Sequence, residues 1–253
     1  MGEFLRFRLH GPLASWGETP GASIRATALH PTRSALLGLV AAALGLDRQD
    51  DAAHVELGRA LRFAVRVDAL GVPLVDYHTA QVLVPKRGRR PPESRADQVA
   101  APRHQLATTV SVRHYRADAA YTVVAWVEGD PGRFSLDTLR AALVQPHFVL
   151  SLGRKSCPLA WPLAPRIIVA ETAAAVFRND PDAALFDELF PRWRRRFGGF
   201  YWEGNEALAG LSERERHERR DVPTSRRRQT YTRRFESYSP ELPEEVSDVS
   251  QSP

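Results

Sequence analysis

Thr32, Arg33 and Ser34 close a polar stretch, His30-Pro31-Thr32-Arg33-Ser34, that runs straight into the apolar residues 35–44. That boundary predicts the start of a largely buried helix, with Pro31 at an early position and Gly45 as a left-handed C-terminal cap. The first turn of a helix offers free backbone N–H groups at the positive end of its dipole. With two hydroxyls and a guanidinium added, it suits an anion, and phosphate is the commonest guest. Ordinary capping accounts for Thr and Ser there without any ligand. A second anion-binding candidate is the loop Leu152-Gly153-Arg154-Lys155-Ser156-Cys157-Pro158. Gly153 permits an unusual backbone angle, and Arg154, Lys155 and Ser156 can wrap an anion. The second glycine and the spacing of a Walker loop are missing, and a solvated turn is the alternative.

A third feature is Gly11-Pro12-Leu13-Ala14-Ser15-Trp16-Gly17. Trp16 either packs as a lid on the core or presents its indole to a base, where a stack contributes about 1–3 kcal/mol. Catalytic patterns are sparse. None of the eight histidines stands in HExxH or at a metal-ligand spacing, and there is no G-x-S-x-G elbow. A metal-independent ribonuclease needs only a His, Tyr or Lys beside the scissile phosphate. His78, His104, His114, Tyr77 and Tyr115 keep that chemistry open.

The chain has 253 residues and a net charge of +5. Residues 236–253 hold five carboxylates and no Lys or Arg, so the rest carries +10. Of 35 basic residues only Lys86 and Lys155 are lysine. Arginine makes planar bidentate contacts with phosphate and stacks on bases, which points to a polyanion partner. A GC-rich coding sequence, which also raises Ala, accounts for part of the excess. Basic clusters stand at Lys86, Arg87, Arg89 and Arg90, at Arg192 and Arg194–196 beside Trp193, and at Arg226–228. Each taken alone is a solvated face. The single Cys157 excludes an internal disulfide and a thiolate zinc site. No apolar run reaches about 18 residues and the N-terminus lacks a secretory pattern, so the expectation is a soluble, cytoplasmic protein with no membrane contact and no cofactor.

The elements that must position these residues follow from periodicity. Residues 4–10, 62–68 and 121–127 read as strands, and residues 147–152 as a fourth core strand. Residues 51–61 and 136–144 read as helices, the latter capped by Ser135. Residues 72–84 and 107–116 read as arms of a long hairpin with a mobile, polar tip at 85–103. Farther on, residues 166–170, 200–203 and 229–235 are strand candidates and 182–190 a helix. Without the hairpin the order is βαββαβ, so the expected class is α+β with a ferredoxin-like, RNA-recognition-motif-like core. The domain reading is 1–158 as that core with its hairpin, 159–237 as a smaller irregular region packed on it, and 238–253 as a disordered acidic tail.

Five segments then occur in a telling order: Gly11-Pro12-Leu13-x-Ser15-Trp16-Gly17, Arg25-x-Thr27, Pro31-Thr32-Arg33-Ser34-x-x-x-Gly38-Leu39, Asp76-Tyr77-His78-Thr79, and Leu152 to Leu159. Over residues 3–235 the chain resembles the CasD subunits of type I-E Cascade, the CRISPR-associated surveillance assembly, within the RAMP superfamily. The resemblance implies a thumb at about 72–116 and a non-catalytic subunit that grips the 5′ handle of the CRISPR RNA and caps the backbone filament in antiviral defence. Its neighbours would be the backbone subunit CasC and the large subunit CasA, with target DNA engaged through the complex. RNA contacts are expected at Trp16, Arg25, Thr27, Thr32, Arg33, Ser34, Arg113, Gly153, Arg154, Lys155 and Ser156. The alternative is a metal-independent endoribonuclease processing CRISPR repeat RNA. A related subtype cuts with a tyrosine and an adjacent Lys-His pair, and neither Lys86 nor Lys155 is followed by His. Ser151 stands where some relatives carry an aromatic residue. Residues 32–34 and 153–156 are expected side by side, although the first and fourth core strands run in opposite directions.

Overall fold

The computed structural model describes residues 1–18, 23–84, 94–189, 197–225, 228 and 230–243. In chain order the elements are β1 (Gly2–His10), β2 (Leu13–Ala14), β3 (Ile24–Arg25), α1 (Arg33–Leu44), α2 (Asp51–Ala60), β4 (Leu61–Ala69) and β5 (Val72–Leu83). Then come α3 (Arg95–Ala100), β6 (Leu106–Ala117), β7 (Ala120–Val127), α4 (Leu136–Val144), β8 (Arg166–Ala170) and α5 (Ala173–Arg178). The chain ends with α6 (Ala183–Leu189), β9 (Gly199–Trp202), α7 (Glu206–Ala209), β10 (Glu215–Ser225) and β11 (Thr230–Ser239).

Seven strands form an antiparallel sheet in the order β10-β11-β9-β4-β7-β1-β8. Strand alternation sends Leu5, Phe7, Leu9, Phe63, Val65 and Val123 to one face, against α1, α2 and α4. Phe4, Val124, Trp126, Phe200 and Trp202 go to the other, against α5 and α7. Each such side chain contributes about 1.5–3 kcal/mol on burial. The polar residues of β1 are covered as well: Arg6 is 0% and Arg8 7% exposed. The segment after α5 makes this tolerable, because Asp180 pairs with Arg6 at 3.0 Å and accepts from Arg8 at 2.6 Å, and Asp182 accepts from Arg6. Buried charges need such partners.

The hairpin forms a second sheet. β5 and β6 pair in unbroken register from Val72↔Ala117 to Leu83↔Leu106. β2 pairs with β6 antiparallel and β3 pairs with it parallel. The described part of the tip, residues 94–103, holds local structure. Ser94 and Asp97 form a reciprocal capping box that starts α3, and a 3₁₀ turn follows at Arg103–Gln105. The cluster at residues 86–90 lies outside the described residues, as do residues 192–196, Arg226 and Arg227, and 244–253.

Three expectations change. Residues 147–152 are not a strand; the fourth strand beside β1 is β8. The reason is where the backbone donors go. His147 and Phe148 donate to the carbonyls of Ala43 and Ala42, so the segment caps the end of α1. Val149 is left 97% exposed. Next, β10 spans a stretch too charged to read as a strand, and β11 runs past the expected 229–235 to Ser239, so Glu236 is a buried strand residue. Finally, Pro31 precedes the helix, because Thr32 is its N-cap and accepts from Ala35 N–H at 3.3 Å. Gly45 does adopt the left-handed cap, at φ 74°.

Candidate nucleic-acid interface

The loop after β1 and the loop at residues 152–158 are built against each other. Ser15 N–H donates to the Leu152 carbonyl at 2.9 Å, and its hydroxyl donates to the His114 carbonyl at 3.2 Å. Gly153 has φ +91°, and a Cβ there would stand 1.8 Å from the Ser15 carbonyl oxygen. No side chain fits that approach. Gly153→Ala should therefore dislodge the loop at a cost of about 1–3 kcal/mol or more. A lowered melting temperature together with weakened RNA binding is the expected reading; an unchanged melt would refute the packing argument.

Trp16 is 1% exposed, and its ring meets Tyr121 edge-on at 5.5 Å. The expected RNA contact at Trp16 is thus corrected: an enclosed indole has no face for a base, and it acts as the lid on the core. The backbone N–H of Trp16 donates to Thr27 Oγ1 at 2.8 Å, so Thr27 ties the loop together.

Arg154 reaches across three segments. Its Nη1 donates to the His114 carbonyl at 3.1 Å and its Nη2 to the Arg25 carbonyl at 3.0 Å. The guanidinium carbon lies 4.6 Å from the centroid of Tyr115. Arg25 and Arg113 are direct register partners between β3 and β6, which places them on one face. Asp76 stands opposite Arg113 on that same face, and Nδ1 of His78 is 3.8 Å from its carboxylate. Lys155 and Ser156 are exposed on the adjoining loop. Four cations from three segments, Arg25, Arg113, Arg154 and Lys155, thus gather at the base of the hairpin. The opposite hairpin face is apolar and open: Val75 is 59%, Tyr77 69% and Ile24 53% exposed.

The start of α1 behaves differently. Its anion is internal: Arg33 N–H donates to Asp221 Oδ2 at 2.8 Å. The Arg33 side chain is buried, pairs with Glu203 at 2.7 Å, and donates to the carbonyls of Gly58 and Leu61. Ser34 and the buried Thr32 share a hydroxyl hydrogen bond at 3.2 Å. The expected phosphate site at Thr32, Arg33 and Ser34 is therefore corrected, because a carboxylate of β10 already fills it. The expected juxtaposition is corrected with it. Residues 32–34 face β4, β9 and β10, while residues 153–156 face β2, β3 and β6. Nothing local in the sequence announces Asp221, which lies 188 residues from Arg33. Tyr115 as a seat for Arg154 also escapes sequence reasoning; an aromatic at i+2 from an arginine on a strand is the available signal.

The same cluster predicts an acid response. Burial raises the pKa of Glu236, but His30 at 3.2 Å, Arg219 at 2.9 Å and Arg234 at 2.8 Å outweigh it and hold the carboxyl well below the usual range. The unfolded chain takes up this proton near the ordinary value of about 4.3. The contribution to stability is complete above that value and is lost as pH falls toward the folded one. Melting temperature should drop between about pH 5 and pH 2. Glu236→Gln should melt lower at neutral pH and respond less to acid. Equal slopes would contradict this.

Chemistry of other kinds finds little support. Cys157 is buried, and burial pushes its thiol up, away from a thiolate. Among the described residues no group of His, Cys, Asp and Glu is arranged to hold a metal, and no helix is long and apolar enough to cross a membrane. A cavity of about 710 Å³ beside α2 is lined by Asp51, Glu56, Glu128 and Asp130 against Arg59, the wrong charge for phosphate.

Residues 4–236 match the family of CRISPR-associated proteins described as Cas5. The chain is 34% identical over 171 residues to the CRISPR system Cascade subunit CasD of Escherichia coli, covering 64% of this chain and 70% of that one. A solved CRISPR RNA-guided surveillance complex contains a chain with TM-score 0.60 and 29% identity, covering 94% of this chain and 89% of that one. A crystal structure of a Cas protein aligns at TM-score 0.55 and 28% identity, covering 93% of each. A family match over nearly the whole chain, together with the likeness to CasD, establishes that the chain belongs to the Cas5 family of CRISPR-associated proteins.

Proposed function

We propose that this chain is a non-catalytic subunit that holds the 5′ handle of a CRISPR RNA and caps the backbone filament of Cascade. The observation that carries the reading is the gathering of Arg25, Arg113, Arg154 and Lys155 on one side of the hairpin base. Phosphate is the ligand that such a cluster suits. The order β4-β7-β1-β8, joined through α1 and α4, supports a ferredoxin-like core that ends with β8 at residue 170. The β5–β6 hairpin is its thumb. On the thumb, the basic face serves RNA and the apolar face of Ile24, Val75 and Tyr77 serves a neighbouring subunit of the CasC or CasA kind. Reading of the target belongs to guide pairing and reaches this chain only through the complex. A cytoplasmic setting follows from that role.

Purified protein incubated with repeat-derived handle RNA in chelator is the test. We expect binding that weakens steeply with salt, and intact RNA. A cleaved product that survives chelation and disappears in His78→Ala or His114→Ala would overturn the non-catalytic reading in favour of a metal-independent ribonuclease.

A further inference from the structure

β10 and β11 form a ribbon whose two faces differ in kind. The inner face packs on α1 through Arg219, Asp221, Arg234 and Glu236, which pair among themselves and with the helix start. The outer face is set by register. Arg216 stands opposite Ser237 and Glu218 opposite Phe235, with Arg220 and Arg233 next along the two strands. Phe235 is 59% exposed, and the Arg216 guanidinium carbon lies 4.8 Å from its ring centroid. The Arg233 side chain is 72% exposed and pairs at 2.9 Å with Glu218, the one carboxylate of this group. Arg228, between the two strands, is exposed. Of the others, Arg220 donates to the Tyr231 carbonyl at 3.3 Å, and Ser237 is buried.

We propose that this outer face is a second surface for single-stranded nucleic acid, with arginines on the phosphates and a base stacked on Phe235. Arginine beside an open aromatic ring is the combination that binds single strands without reading sequence. The surface is separate from the handle site, since neither β10 nor β11 pairs with β3 or β6. An RNA-guided complex pairs its guide with one target strand and leaves the other single-stranded. The displaced DNA strand is therefore the occupant; this last assignment rests on the proposed function, whereas binding of a single strand does not.

The experiment uses the full chain carrying Arg25→Ala, Arg113→Ala and Lys155→Ala, so that the handle site is weakened by three of its four cations. Labelled oligothymidylate and oligouridylate of equal length are the probes. We expect retained binding of oligothymidylate. Adding Arg216→Ala, Arg233→Ala and Phe235→Ala should weaken it by about tenfold or more and flatten the salt slope by about 0.7 for each phosphate no longer neutralised. Phe235→Tyr should keep the affinity. If the ribbon variant melts lower, Arg216→Gln with Phe235→Leu replaces it in the same assay. Unchanged oligothymidylate binding overturns the proposal, as does a ribbon variant that loses only a protein partner. Preference for oligouridylate overturns the DNA assignment. The ribbon substitutions in an otherwise native chain should leave handle RNA binding intact, so failure here is distinguishable from failure of the handle reading.

Discussion

Arg33→Ala should destabilise the fold by about 3–5 kcal/mol and leave the salt dependence of RNA binding unchanged. Arg33 sits at the first turn of a helix, where a phosphate contact is the natural expectation, yet its guanidinium is spent inside the protein. Glu203 lies 2.7 Å away, and the carbonyls of Gly58 and Leu61 accept from the same side chain. Removing the arginine leaves Glu203 buried with its nearest partner missing and takes one donor from each of two carbonyls, which Arg62 Nη1 still serves; a broken buried pair costs far more than a surface one. At roughly 2–4 °C per kcal/mol for a chain of this size, the melting temperature should fall by roughly 6–20 °C. Anisotropy titrations of folded protein over a salt series should superimpose on the native slope. A slope flattened by the equivalent of one phosphate, with no change in melting, would restore Arg33 to the RNA.

The opposite pattern is expected for Arg25→Ala, Arg113→Ala and Lys155→Ala combined. Arg25 and Lys155 are exposed and Arg113 is half-buried, with no buried acid depending on them. Melting should change little. Handle RNA affinity at low salt should fall by a factor on the order of 10³, taking ~1.5 kcal/mol for each charge-assisted hydrogen bond. The plot of log affinity against log salt should flatten by about 2, at ~0.7 per phosphate on a single strand. Arg154 is kept out of this set because it also ties Arg25 and His114 together, so its loss mixes stability with binding. Arg140, which pairs loosely with Asp137 at 3.9 Å on the surface of α4, is the control. A triple variant that tracks the native protein at every salt concentration would remove the hairpin base from the interface.

Local signals in the sequence determined a good deal. The alternation of residues 4–10, the capped apolar run ending at Gly45, Ser135 before α4 and the two hairpin arms all fold as their periods require. In each, the pattern and its partner lie within a few residues or along one strand, where propensity and capping act. The segments that resemble CasD motifs were legible for the same reason, since they are contiguous. The tertiary structure decided the rest, through partners far away in the chain. Residues 147–152 have the apolar run of a strand, but their amides go to the end of α1, and β8 takes the edge beside β1. The arginines of β1 are covered by Asp180 and Asp182, more than 170 residues away. Thr32, Arg33 and Ser34 have the chemistry of a phosphate site in isolation. Whether a helix start is free for a ligand depends on which carboxylate reaches it first, and Asp221, 188 residues from Arg33, does so only once β10 has folded across α1. The cations that remain available, Arg25, Arg113 and Lys155, carry no signal in their spacing. They become neighbours because β3 lies parallel to β6 and because Gly153 allows its loop to touch Ser15.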